Sequence, residues 1–199
     1  MRNRNRFKRS GFTLVELLIV IVVIGVLSTM MMLSSTEAVS SAKASNIISN
    51  LRNWKTAALE WYTDNLDKVK GNGKVLKPDG SEGNFATVYG TENLAPYLGG
   101  NFDFVSLSGH SCGYKQVKDS GGIYFTDHIS KNNKFVWLIG YRLPDSDRAS
   151  GSRVKQKLEA RASGTGLLWK NGNEIGEYTA DHAHYNVGDV WIEVLDFSE

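Results

Sequence analysis

Gly11-Phe-Thr-Leu-Val-Glu-Leu-Leu-Ile-Val-Ile-Val-Val-Ile-Gly-Val-Leu27 is the stretch on which the reading of this 199-residue chain turns. Twelve of the fourteen residues from Leu14 to Leu27 are Leu, Ile or Val, and Met30, Met31, Met32 and Leu33 extend the run. At ~0.3 to 0.6 kcal/mol per residue, those side chains supply about 5 kcal/mol toward membrane insertion. The one acid among them, Glu16, lies near the end of the run and costs at most ~3 kcal/mol even at mid-bilayer. The segment therefore enters a membrane with Glu16 in it. Before it come Met1 to Ser10, carrying Arg2, Arg4, Arg6, Lys8 and Arg9 and no acid. A basic leader beside an apolar run holds the N-terminus in the cytoplasm and threads the rest outward.

A carboxylate inside an apolar segment is either neutral or paired, and nothing else from residue 12 to 33 is ionisable. Cleavage between Gly11 and Phe12 would create an α-amino group one helical turn before Glu16. In a helical assembly, that amine on one chain would reach the carboxylate of its neighbour.

Lys8-Arg-Ser-Gly-Phe-Thr-Leu-Val-Glu-Leu-Leu-Ile-Val-Ile21, with the apolar run that continues it, resembles the class III leader and N-terminal helix of type IV pilins and type II secretion pseudopilins. The resemblance covers roughly residues 8 to 35. It implies that a prepilin peptidase cuts after Gly11 and that the same enzyme methylates the amine of Phe12. It also implies that Glu16 is the family's acid at the fifth mature position, used in filament assembly. Many filament pilins carry a proline near the middle of the apolar half of the helix. Here Leu33 and Ser34-Ser-Thr36 occupy that region, leaving Gly25 and Ser28-Thr29 as the softer points.

Two plainer readings compete. A secretory signal has a shorter apolar core followed by a small-residue cleavage site, and Ser40-Ser-Ala42 lies well past this run. An uncleaved anchor fits the hydropathy but leaves Glu16 and the leader unexplained.

The composition, 41% hydrophobic and 22% charged, suits one membrane-anchored globular domain. Five of the 23 Lys and Arg residues lie in the leader, leaving 18 against 21 acids, so the processed chain sits near −3. That balance gives no electrostatic footprint for nucleic acid. Cys112 is the only cysteine, which excludes an intrachain disulfide. The chain thereby departs from the many pilins that close a C-terminal loop with such a bridge. Cys112 is expected as a buried, inert thiol, with intermolecular pairing as the alternative.

Beyond Leu33 the pattern becomes one-sided. Ile47, Leu51, Trp54, Ala58 and Trp61 recur at helical spacing, and Ile48, Leu59 and Tyr62 widen the stripe. With no proline before Pro78, the pattern predicts one helix from Phe12 to Leu66, about 80 Å long at 1.5 Å per residue. The segment from Asp67 to Gly83 reads as a loop, with Gly71-Asn-Gly73 and Pro78-Asp-Gly80 as turn signals. Strands are expected at 102–107, 122–126, 134–141, 166–170 and 190–197, and Lys170-Asn-Gly-Asn173 is a hairpin signal. A short helix is expected over 152–162, with Ser152 as a cap. These elements give an α+β, pilin-like fold: a long N-terminal helix, membrane-spanning in its first half, packed on a C-terminal antiparallel sheet head. The divisions are a leader at 1–11, a filament-core half at 12–33, an amphipathic half at 34–66 and a β-rich head at 67–199.

Other constellations compete for chemistry. Gly109-His-Ser-Cys-Gly113 matches the G-x-S-x-G elbow of α/β-hydrolases. Asp127, Asp145 or Asp147, followed by His182 or His184, would complete a triad around Ser111. The following segment is too short and glycine-ended for the required helix, so the motif reads as a glycine-rich loop. Asp181-His-Ala-His184 offers two imidazoles on one face of an extended segment, short of the four ligands of a closed zinc site. Asp145-Ser-Asp147 and Asp64 with Asp67 offer oxygens for calcium without the density of a calcium loop. Trp137, Tyr141, Trp169, Tyr178, Tyr185 and Trp191 are expected in core and sheet packing.

The sequence thus points to assembly rather than catalysis, with no cofactor and no metal. By the resemblance, the chain is a subunit of a type IV pilus or pilus-like filament, with a type II secretion pseudopilin as the alternative. A membrane-tethered binding domain or serine hydrolase is the remaining rival. The implied partners are the prepilin peptidase, other pilin subunits and an assembly platform in the cytoplasmic membrane. The implied location is that membrane, head outward, and then a surface or periplasmic filament.

Overall fold

The computed structural model describes residues 11–71, 74–76, 80–84, 94, 96–98, 102–107, 110–116, 122–131, 134–149, 151–180 and 189–197. One helix, α1 (Leu14–Asp64), accounts for 51 residues. It starts two residues later and ends two residues earlier than the pattern suggested. Hydroxyls within it are satisfied locally: Thr29, Thr36, Ser45, Thr56 and Thr63 each donate to the carbonyl four residues back. At the C-terminal end, Asn65 Nδ2 donates to Trp61 O at 2.9 Å, satisfying one of the orphan carbonyls there.

The chain divides into two compact units, Met1–Val39 and Ser40–Glu199. In the first, every described side chain is exposed, including Leu17, Ile21, Ile24 and Met31. Among its described residues this unit has no core.

The second unit is an α+β fold. A two-stranded antiparallel ribbon joins β1 (Lys74–Leu76) to β2 (Glu82–Asn84), where the sequence suggested only a loop. Gly80, at φ +81°, sits in the connection, as the Pro78-Asp-Gly80 signal implies. The main sheet contains β3 (Phe102–Leu107), β4 (His110–Gln116), β5 (Ile123–Lys131), β6 (Lys134–Arg142), β7 (Leu167–Asn171), β8 (Glu174–Glu177) and β9 (Val190–Asp196). Its strand order is β3-β4-β5-β6-β9-β7-β8, and all neighbours are antiparallel. The hairpin signal at residues 170–173 is borne out: Asn171 pairs with Glu174 around Gly172 at φ +58°.

The glycine-rich loop expected at Gly109–Gly113 is corrected, because 110–116 is β4, paired to β3 and β5. Pairing with β3 from His110 to Gln116, and with β5 at Tyr114 and Lys115, overrides the weak strand propensity of a segment with Ser111 and Gly113. The short helical region also differs from expectation. It comprises α2 (Asp145–Arg148), α3 (Arg153–Glu159) and α4 (Ala162–Thr165). Ser152 occupies the N-cap position of α3, but its hydroxyl makes no capping hydrogen bond, which corrects the expected cap.

The outer part of α1 lays its stripe on one face of the sheet. Ile47, Ile48, Leu51, Trp54, Ala58 and Trp61 are buried with Trp137, Ile139, Tyr141, Val190, Ile192 and Val194, and Leu59 and Tyr62 pack partly buried beside them. Trp54 stacks on Tyr124 at 5.4 Å, and Asn50 Nδ2 donates to Tyr124 Oη at 2.9 Å. Val154, Leu158 and Ala162 bring α3 and α4 into the same core.

The opposite face carries a second core of Phe125, Ile129, Val136, Leu138 and Trp191. Gly140 is required there: a Cβ would lie 2.6 Å from Trp191 Cζ3 and 2.8 Å from Phe125 Cζ. Lys170 on β7 reaches Asp127 on β5 at 2.7 Å, although β9 and β6 lie between them in the sheet. Asn173 Oδ1 likewise accepts from Ser130 N at 3.3 Å. Strands are ~4.8 Å apart, so a flat sheet would separate these residues beyond side-chain reach. The sheet therefore curls around its second core.

Candidate functional site

The candidate site is the start of α1. Gly11, Phe12 and Thr13 precede the helix, and the Phe12 side chain is 86% exposed. Leu17 N donates to Thr13 O at 3.2 Å, making Thr13 the N-cap. Thr13 Oγ1 accepts from Glu16 N at 3.2 Å, while Glu16 Oε2 accepts from Thr13 N and Thr13 Oγ1, each at 2.8 Å. This is a reciprocal capping box, Thr13-Leu-Val-Glu16, which satisfies donors that a helix otherwise leaves open at its first turn. Among the described residues, no hydrogen bond or ion pair joins Glu16 to Phe12. The carboxylate that seemed to lack a local partner has one in Thr13. The T-x-x-E spacing ahead of an apolar run is the sequence signal that could have found it.

From Leu14 onward the helix is apolar and long enough to cross a membrane, the single such helix among the described residues. Residues 6–32 match the family model described as the prokaryotic N-terminal methylation motif. The N-terminus is a type IV pilin-like class III leader. No curated protein and no solved structure matches the chain. The matched residues cover the leader's Arg6 to Ser10, the Gly11–Phe12 junction, the capping box and the apolar run to Met32. The matched residues from Gly11 to Met32 are thus the exposed apolar part of the first unit, and the motif and helix fit anchoring in the inner membrane.

The rival constellations do not come together. Ser111 lies within β4, antiparallel to β3, and not on a strand-to-helix elbow. Asp127 is paired with Lys170, Asp147 with Lys43 at 2.9 Å, and the Asp145 side chain is 94% exposed beside Arg148. Asp64 accepts from Tyr97 Oη at 2.9 Å, a bond that pushes the Tyr97 phenol above its ordinary value. Asp181, His182, His184 and Tyr185 lie outside the described residues, and so does the side chain of Cys112. Among the described residues, no three His, Cys, Asp or Glu side chains gather as a metal cluster. Of the named aromatics, Trp137, Tyr141, Tyr178 and Trp191 are buried and Trp169 is half-buried against Gly176.

Proposed function

We propose that this chain is a structural subunit of a type IV pilus or pilus-like filament. In this reading it is cleaved after Gly11, N-methylated at Phe12 and polymerised through its N-terminal helix. The observation that carries the proposal is the methylation-motif match over residues 6–32, where the described apolar side chains of the helix, from Leu14 to Met32, have no intramolecular cover. The leader stays in the cytoplasm, the helix crosses the membrane, and the sheet domain lies outside. Residues 1–11 are then removed, 12–33 form the filament core, and 34–66 carry the helix into the head at 67–199. The chain works by assembly and not by catalysis, with other pilin subunits and a membrane assembly platform as partners.

In the filament, the apolar helix exchanges lipid for neighbouring helices, so leaving the bilayer exposes little apolar surface. Repeated head-to-tail contacts related by a screw operation give an open polymer. The capping box adds a chemical detail. Both Thr13 bonds converge on Glu16 Oε2, which leaves Oε1 open to the Phe12 amine of an adjoining subunit. Glu16 then caps its own helix and sets register with the next.

The test is the N-terminal residue and mass of protein recovered from membranes and from sheared surface material. An N-methylated Phe12 in the sheared fraction is expected. An intact Met1, or a start near Lys43, would overturn processing and reduce the chain to an anchored or secreted domain. Processed protein found only in the membrane and periplasm would favour the pseudopilin alternative. Glu16→Ala subunits should fail to assemble; filaments formed at wild-type yield would remove Glu16 from the mechanism.

A further inference from the structure

Within the unit Ser40–Glu199, Ser45, Ser49, Arg52 and Asn53 of α1 face Arg161 and Thr165 across a groove of about 390 Å³. The first four recur at i, i+4, i+7 and i+8, which places them along one side of the helix. Buried Ile48 also lines the groove, and no acid does among the described residues.

The two arginines are held differently. Arg161 Nη1 donates to Ser45 Oγ at 2.6 Å, and Nη2 donates to Ser41 Oγ at 2.8 Å. Those bonds fix the guanidinium plane against α1 and leave N–H donors unused, since the group carries five. The Arg52 guanidinium has no hydrogen-bond or ion-pair partner among the described residues. A surface arginine on a helix commonly pairs with an acid three or four positions away. Here those positions hold Ile48, Ser49, Lys55 and Thr56, so the local charge is wholly positive. Arg52 lies seven residues from Ser45, about 10 Å along the helix. Both arginines line the groove, so a ligand bound in it meets both.

We propose that this groove is a binding site for an oxyanion, a carboxylate, phosphate or sulfate, carried on a small polar molecule. Arg161 is the pre-positioned donor and Arg52 the one that closes on the ligand. A guanidinium fork matches the paired oxygens of such groups, and each bond is charge-assisted. The hydroxyls of Ser49 and Thr165 and the Asn53 amide supply donors and acceptors for a hydroxylated body, as in an acidic sugar. The volume falls within the ~300 to 1,000 Å³ typical of small-molecule sites. The groove lies wholly within the sheet-bearing unit, and binding there does not depend on cleavage after Gly11.

The test is isothermal titration calorimetry on the full chain in detergent micelles. Inorganic phosphate, sulfate and glucuronate are titrated separately against chloride at matched ionic strength. Saturable binding is expected for at least one of them, weakened about tenfold by Arg52→Gln and only partly restored by Arg52→Lys, which keeps the charge and loses the fork. The anion that binds tightest identifies the ligand's acidic group. The Arg52 side chain is exposed and makes no hydrogen bond or ion pair, so the Arg52→Gln chain keeps its fold, checked by circular dichroism. Absence of saturable binding with all three anions, or unchanged affinity in Arg52→Gln, would overturn the site.

Discussion

Thr13 does more at the N-terminus than its polarity suggests. Its hydroxyl both donates to and accepts from Glu16, and its carbonyl starts the helical ladder. Thr13→Val keeps the side-chain shape and removes both hydroxyl bonds, while the backbone bond to Glu16 remains. Loss of a Ser or Thr cap costs typically ~1 kcal/mol, so amide protection at Glu16 and Leu17, whose N–H groups bond to Thr13, should fall about fivefold. Hydrogen exchange followed by NMR in micelles measures this, and Thr13→Ser should restore it; unchanged protection in the valine variant would refute the capping role. The box is legible in the sequence, because T-x-x-E before an apolar run is a helix-start signature. Hydropathy alone treats the same carboxylate as an intruder, since it weighs the cost of a charge in lipid and takes no account of the open N–H groups of the first turn.

At the level of elements, legibility follows the hydrophobic pattern. The stripe of α1 buries one face of the helix, and the near-continuous apolar runs of β6 and β9 are buried on both faces of the sheet, so pattern and burial agree. β4 and β8 lack that signal. Gly113 and Gly176 interrupt them, and their strand character comes from pairing; Gly176 is there because the Trp169 ring occupies the space a Cβ would need. The ion pair of Lys170 with Asp127 could not be read from sequence either, because it depends on the curl of the sheet. Both side chains are largely buried, at 7% and 16% exposure, and the Lys170 ammonium lies 5.2 Å from the centroid of the Trp191 ring. Removing one partner strands the other charge. Asp127→Ala should therefore cost ~3 to 5 kcal/mol in urea unfolding, and Asp127→Ala with Lys170→Met should recover most of it. A cost below about 1 kcal/mol for the single variant would mean that the pair is solvated.

For the whole molecule, the two units answer to different solvents. Among the described residues, those from 11 to 39 offer apolar surface with no core beneath it, whereas the buried core residues lie from Ser40 onward. Stability measured by unfolding is thus a property of the second unit, and its titratable groups set the pH dependence. At the acid end, Lys70 and, more weakly, Lys74 hold the exposed Glu82 carboxyl below its ordinary value. A depressed carboxyl contributes at neutral pH and loses that contribution on acidification, so the β1–β2 ribbon should loosen first there. At the alkaline end, Tyr178 dominates. Burial in the main core, and then the charges of Asp189 and Glu159, push its phenol far above the ordinary value of 10.0. Below that value the phenol is neutral in both folded and unfolded chains, and its contribution is complete. Above it the unfolded chain loses a proton that the folded chain keeps, so rising pH favours unfolding, by up to about 1.4 kcal/mol per pH unit. Urea midpoints should accordingly be level from about pH 7 to 9 and fall steeply beyond 10. Tyr178→Phe should flatten that fall and leave a shallower slope, to which the raised phenol of Tyr97 contributes. An alkaline fall just as steep in Tyr178→Phe would place the sensitive group elsewhere in the fold.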